Sequence, residues 1–142
     1  NDWSFERSCE DEIGILVEGI WTDYNVSFSW MEDFEALHVA CAFDMRVQSE
    51  RKVETMRLMS LVNEQLLFGH FELWLKDGSV MFRHAMPLSG GAQANDHQIE
   101  CLLSNALQSC ERYYQAFQFV VWAGKNAADA LDSGLFDTVG EA

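Results

Sequence analysis

From Ile13 to Phe43 apolar and polar residues alternate with a period of two, the signature of half-buried strands. Ile13, Ile15, Val17, Gly19 and Trp21 share one face after an acidic lead-in of Glu10, Asp11 and Glu12. Asp23–Tyr24–Asn25 reads as a turn, after which Val26, Phe28 and Trp30 resume the alternation. A second turn, Glu32–Asp33–Phe34–Glu35, leads to Leu37, Val39, Cys41 and Phe43. With Met31 opposite Ala36, Trp30 faces Leu37, Phe28 faces Val39 and Val26 faces Cys41, all on one side. The reverse side is smaller and more polar, with Ser29 beside His38 and Ser27 beside Ala40. A three-stranded antiparallel meander with one strongly apolar face is expected.

The period then changes. Ser49, as N-cap, opens a helix expected to reach Phe68, with Gly69 as the residue after its end. Leu58, Met59, Leu61, Val62, Leu66, Leu67 and Phe68 spread around most of its wheel, so more than the sheet must cover it. Asp77–Gly78 then signals a two-residue type I′ hairpin turn. Counting outward pairs Lys76 with Ser79, Trp74 with Met81, Glu72 with Arg83 and Phe71 with His84. Phe71, Leu73, Leu75, Val80, Phe82 and His84 share one face, and Glu72 and Arg83 form a cross-strand ion pair on the other. After Pro87 the loop Ser89–Ala94 connects to a helix capped by Asn95, with Gln98 completing a capping box. At about 100° per residue from Ile99, the apolar positions from Leu102 to Val121 stay between about −60° and +80°. One helix over Asp96–Ala123 follows, then Gly124 as its stop and a short last helix opened by Asn126 and Asp129. The closing segment with Leu135 and Phe136 packs back or frays. The fold class is α+β, a twisted antiparallel sheet with helices on one side.

Composition narrows the function. The 142 residues form one domain with a formal charge of −14, which disfavours nucleic acid and anionic membranes as partners. Arg46, Arg51, Lys52 and Arg57 fall close together and read as a solvated helix start. No apolar run approaches the roughly 18 residues of a membrane span, and no signal-peptide pattern opens the chain at Asn1. Cys9, Cys41, Cys101 and Cys110 show no zinc spacing, and reduced thiols in a cytoplasmic protein are expected. His38, His70, His84 and His97 lie on separate elements, with alternation sending His70 and His84 to opposite faces. The loop 89–92 lacks the pattern and the bases of a phosphate cradle. No catalytic spacing emerges, so no enzyme, metal or cofactor is expected. Arg83 is assigned to its ion pair and His84 to the edge of the core.

The runs EALHVACAFDMRV, NEQLLFGHFELWLKDGSVMFRHAMPLSGGA and ERYYQAFQFVVWAGK resemble the YbjN family over nearly the whole chain, from about Phe5 to Ala142, as a single domain. Gln115 stands where the family pattern has a proline, which favours an unbroken helix here. The resemblance implies a fold like that of type III secretion chaperones and a dimeric regulator of sensory transduction or stress response. It also implies a helix ahead of the first strand, largely missing here, and it brings no catalytic residues. Two functional classes follow. One is a non-enzymatic interaction module, a homodimer with a further protein partner, using Phe119, Trp122, Leu58 and Val62. The other is a small-ligand binder or hydrolase using the 89–92 loop with Arg83 and His84.

Overall fold

The computed structural model describes residues 4–9 and 12–140, with side chains over 12–135. Its elements are β1 (Ser4–Cys9), β2 (Glu12–Glu18), β3 (Asp23–Met31), β4 (Ala36–Arg46), α1 (Lys52–Asn63), β5 (His70–Trp74), β6 (Ser79–Pro87), α2 (Asp96–Val121) and α3 (Ala127–Gly140). The strands form one antiparallel sheet in the order β1-β2-β3-β4-β6-β5, and the protein is α+β. The β3–β4 register is the expected one, Trp30 opposite Leu37 through Val26 opposite Cys41. It is held because a slip of one residue would turn the whole apolar set to the other face.

β1 adds a strand that the alternation did not announce, and the acidic Glu10 and Asp11 fall outside the described residues. The β2–β3 turn also lies earlier than expected. Gly19 closes it by donating its N–H to the Thr22 carbonyl at 2.9 Å, and Tyr24 is a fully buried strand residue. Its ring explains the change, for a turn at Tyr24 would leave that ring in solvent. Glu111 of α2 braces the turn, accepting from the Ile20 N–H at 2.7 Å and from the Tyr24 hydroxyl at 3.2 Å.

The helices cover one face of the sheet. α2 lies on β4 and β6, α1 on β5, and α3 on α1 and α2. Phe43 sits at the centre of the core, its ring centroid 5.1 Å from Tyr114, 5.6 Å from Phe117 and 5.9 Å from both Tyr24 and Phe71. Such tilted and edge-on pairs are favoured over flat stacking. Cys41 and Cys110 are buried free thiols in this core, and Cys101 is an exposed one. α1 stops at Asn63, short of the expected Phe68, and Ser49 starts a single 3-10 turn, with no side-chain cap. Asn95 and Gln98 form the full capping box. α2 ends at Val121 with Trp122 as its C-cap, and Gly124 takes a left-handed φ of 73°. Asn126 caps α3, accepting from the Asp129 N–H at 2.9 Å. No described helix is long and apolar enough to cross a membrane.

Candidate interaction surface

The exposed large apolar side chains are unevenly placed. Among the described residues these are Leu16, Ile20, Met31, Phe34, Val53, Met56, Leu67, Phe68, Trp74, Leu75, Ile99 and Trp122. Six of the twelve, from Val53 to Leu75, belong to α1, β5 and their connections. Val53, Met56 and Ser60 make a stripe on the outer side of α1 at three- and four-residue spacing, the geometry of a helix face that meets another element. Their opposite numbers Leu58 and Val62 are fully buried in the chain and present no surface. The expectation that these two meet a partner is therefore corrected: one side of α1 is filled by sheet, α2 and α3.

The strand edge beside this stripe is occupied at Phe71. β5 is an edge strand, and the outward N–H and C=O of Phe71 are both taken by the Asn63 carboxamide, at 2.8 and 3.1 Å. Of the four bases expected to form a solvated helix start, Arg57 is exposed and pairs within α1, while Arg46, Arg51 and Lys52 reach across to other elements. Arg51 donates to the carbonyls of Val120 and Lys125 at 2.9 and 2.7 Å, satisfying backbone acceptors around the end of α2. Lys52 donates to the Leu75 carbonyl at 3.0 Å. Arg46 pairs with Asp77 at 3.2 Å and Arg57 with Glu54 at 2.9 Å. Glu54 also accepts from the Ala127 N–H at 2.7 Å, and that backbone bond is the main reason its carboxyl lies below the usual range.

The hairpin has a four-residue loop, not a two-residue turn. Trp74 pairs with Ser79, and Glu72 stands opposite Met81 instead of Arg83. Because the register moved by two residues, the side chains that stay in the strands keep their predicted faces; Leu75 and Lys76 leave the sheet for the loop. Glu72 and Arg83 still meet, now as diagonal neighbours at 2.8 Å. Arg83 also donates its Nε–H to His38 Nε2 at 2.9 Å, while Trp74 Nε1 and His70 lie 3.0 and 3.3 Å from the Glu72 carboxylate. Burial works against that carboxylate, but the hydrogen bonds from Trp74, Arg83 and His70 outweigh it and hold its carboxyl below the usual range. Burial and the adjacent guanidinium both push His38 down.

The residues of the ligand-site reading do not converge. Arg83 lies in this polar cluster on the face away from the helices. His84 is on the opposite face, its ring 5.8 Å from that of Phe68. Gly91 and Ala92 border a hollow with Trp30 and Leu37. Among the described residues no group of three His, Cys, Asp or Glu side chains is placed to hold a metal ion. Of the aromatic pair near the end of α2, Phe119 packs against the core beneath the Lys125 ammonium, 4.8 Å from its ring, and Trp122 is exposed. Leu135 packs on the core nearby, and Phe136 lies outside the residues with described side chains.

A family model described as "YbjN: Putative bacterial sensory transduction regulator" matches residues 1–119. The chain belongs to the YbjN family. No curated protein matches it. The YbjN match spans β1 to most of α2 and ends before α3, so the likeness is shown to residue 119 and not to Ala142.

Proposed function

We propose that this YbjN-family chain is a non-catalytic regulatory module of the cytoplasm that works by protein contact, as a homodimer built on the α1–β5 side with other surfaces left for a further protein. The concentration of exposed apolar side chains between Val53 and Leu75 carries this reading, since such patches mark contact sites. Electrostatics favours the same side. Two copies at −14 each repel, and between Glu50 and Arg57 the three bases Arg51, Lys52 and Arg57 outnumber the two acids Glu50 and Glu54, which eases the approach of a like-charged copy there. A twofold axis lets one self-complementary patch serve both partners.

Light scattering coupled to size exclusion tests the pairing. The wild type should elute at twice its 16.2 kDa chain mass at micromolar concentration, and Val53→Glu with Met56→Glu should elute as a monomer with an unchanged circular dichroism spectrum. A monomeric wild type, or a double variant that still pairs, overturns the interface. A cross-linked pull-down that recovers no protein besides the chain itself argues against the regulatory partner.

A further inference from the structure

The turn between β3 and β4 is an exposed knob. Its residues Met31 to Glu35 all face solvent, and Phe34 is 75% exposed, where an aromatic ring gains nothing from burial. The turn is nevertheless held in place. Glu35 takes a left-handed φ of 48°, unique for a non-glycine residue among those described. Its N–H donates to the Glu32 carbonyl at 3.2 Å, and its own carbonyl accepts from the Leu88 N–H at 2.8 Å. A conformation uncommon outside glycine is pinned from both sides, so Phe34 stands on a preorganised support. Beside the knob lies a hollow of about 410 Å³ lined by Trp30, Leu37, Leu88 and Ala92, with Glu35 shared between the two.

We propose that knob and hollow together dock a basic segment of a partner protein, one apolar side chain entering the hollow while Lys or Arg side chains meet the carboxylates of the turn. This surface depends on the reading of the chain as a contact module but not on the α1–β5 pairing.

Charge selects the partner. Glu32, Asp33 and Glu35 place three acids in the five residues of the turn, and among the described residues none of them belongs to an ion pair. The Glu32 carboxylate accepts from Trp30 Nε1 at 2.9 Å, which leaves most of its acceptor sites open. The two stretches of chain that build this end, 8–45 and 84–111, contain no Lys or Arg, so they supply no counter-charge. A second copy is a poor occupant, since its own turn would bring the same three acids against these. A cation without an apolar part would leave Phe34 and the hollow uncovered. A basic segment with an apolar anchor answers both features.

Fluorescence anisotropy with a short labelled peptide of lysine and leucine residues tests the surface. Binding to the wild type should weaken about tenfold in Phe34→Ser. It should weaken severalfold, with a shallower salt dependence, in Glu32→Gln with Asp33→Asn. These changes touch exposed side chains and should keep the wild-type circular dichroism spectrum; should Phe34→Ser lose it, the Glu32 and Asp33 variant decides alone. Asp129→Asn with Asp132→Asn, the same loss of charge placed on α3, should leave the affinity unchanged. The peptide with serine in place of leucine should bind far more weakly. No binding by the wild type, full affinity in a folded Phe34→Ser protein, equal weakening by the α3 variant, or equal binding of the serine peptide overturns the proposal. A monomeric wild type that binds the peptide at the turn removes the pairing alone, and a dimer that does not bind it removes this surface alone.

Discussion

Asn63 shows how one side chain can end a helix. Its carboxamide makes two bonds to the Phe71 backbone, and continuing α1 beyond it would carry the chain away from β5. Asn63→Leu should cost about 1–3 kcal/mol, the penalty for stranding polar backbone groups at a packed boundary, read as a lower urea midpoint. Nothing local in the sequence announces this bond, because its partner lies eight positions on, across a loop, so periodicity ran the helix on to Phe68. His38 gives a second residue-scale expectation. Its native pKa is depressed by burial and by Arg83, so the unfolded chain takes up this proton first. Its contribution to stability is whole above the unfolded imidazole value of about 6.5 and is lost as pH falls below it, until the native ring protonates too. Urea midpoints at pH 7.5 and 5.5 should differ in the wild type and differ less in His38→Gln. An equal drop in both proteins would remove His38 as the cause.

At the level of elements, the β5–β6 hairpin shows what alternation can and cannot specify. The faces of Phe71, Leu73, Val80 and Phe82 were legible because burial of one face forbids an odd slip. An even slip costs the pattern nothing, and there tertiary contacts decided. The Gly78 N–H bonds to the Trp74 carbonyl at 2.7 Å and its own carbonyl accepts from Val47 at 2.8 Å. Gly78 is the only loop residue with positive φ, at 76°, where a type I′ turn would need two. A Cβ there would stand 2.6 Å from the Val47 oxygen. Gly78→Val should therefore destabilise by more than the roughly 1–2 kcal/mol of left-handed strain alone, measured by thermal or urea unfolding. A loss below that strain would mean that the loop has room to relax.

For the whole molecule, the sequence read α1 as needing cover on several sides and looked to a second copy for it. Much of that cover is intramolecular: α3 packs on both α1 and α2, with Ala127, Ala130 and Leu131 buried. This closure was hard to foresee, since small residues such as Gly134 carry no hydrophobic signal. A Cβ on Gly134 would lie 2.8 Å from the Ala116 backbone nitrogen, so α3 approaches α2 closely only because that atom is missing. Gly134→Val should prise the two helices apart at about 1–3 kcal/mol, as overpacked sites do, with stronger binding of a hydrophobic dye. An unchanged melting temperature would show that α3 adjusts freely. The polar side chains were placed by the sequence on the right faces, but their convergence was legible only for Glu72 and Arg83, because strands distant in sequence bring in His38. Asn63 has one more effect, on growth rather than shape. An incoming strand needs the very backbone groups of Phe71 that the carboxamide occupies. On the proposed pairing side, the β5 edge therefore lacks the Phe71 backbone groups that a further strand would take, so contact through side chains is favoured there over growth strand by strand.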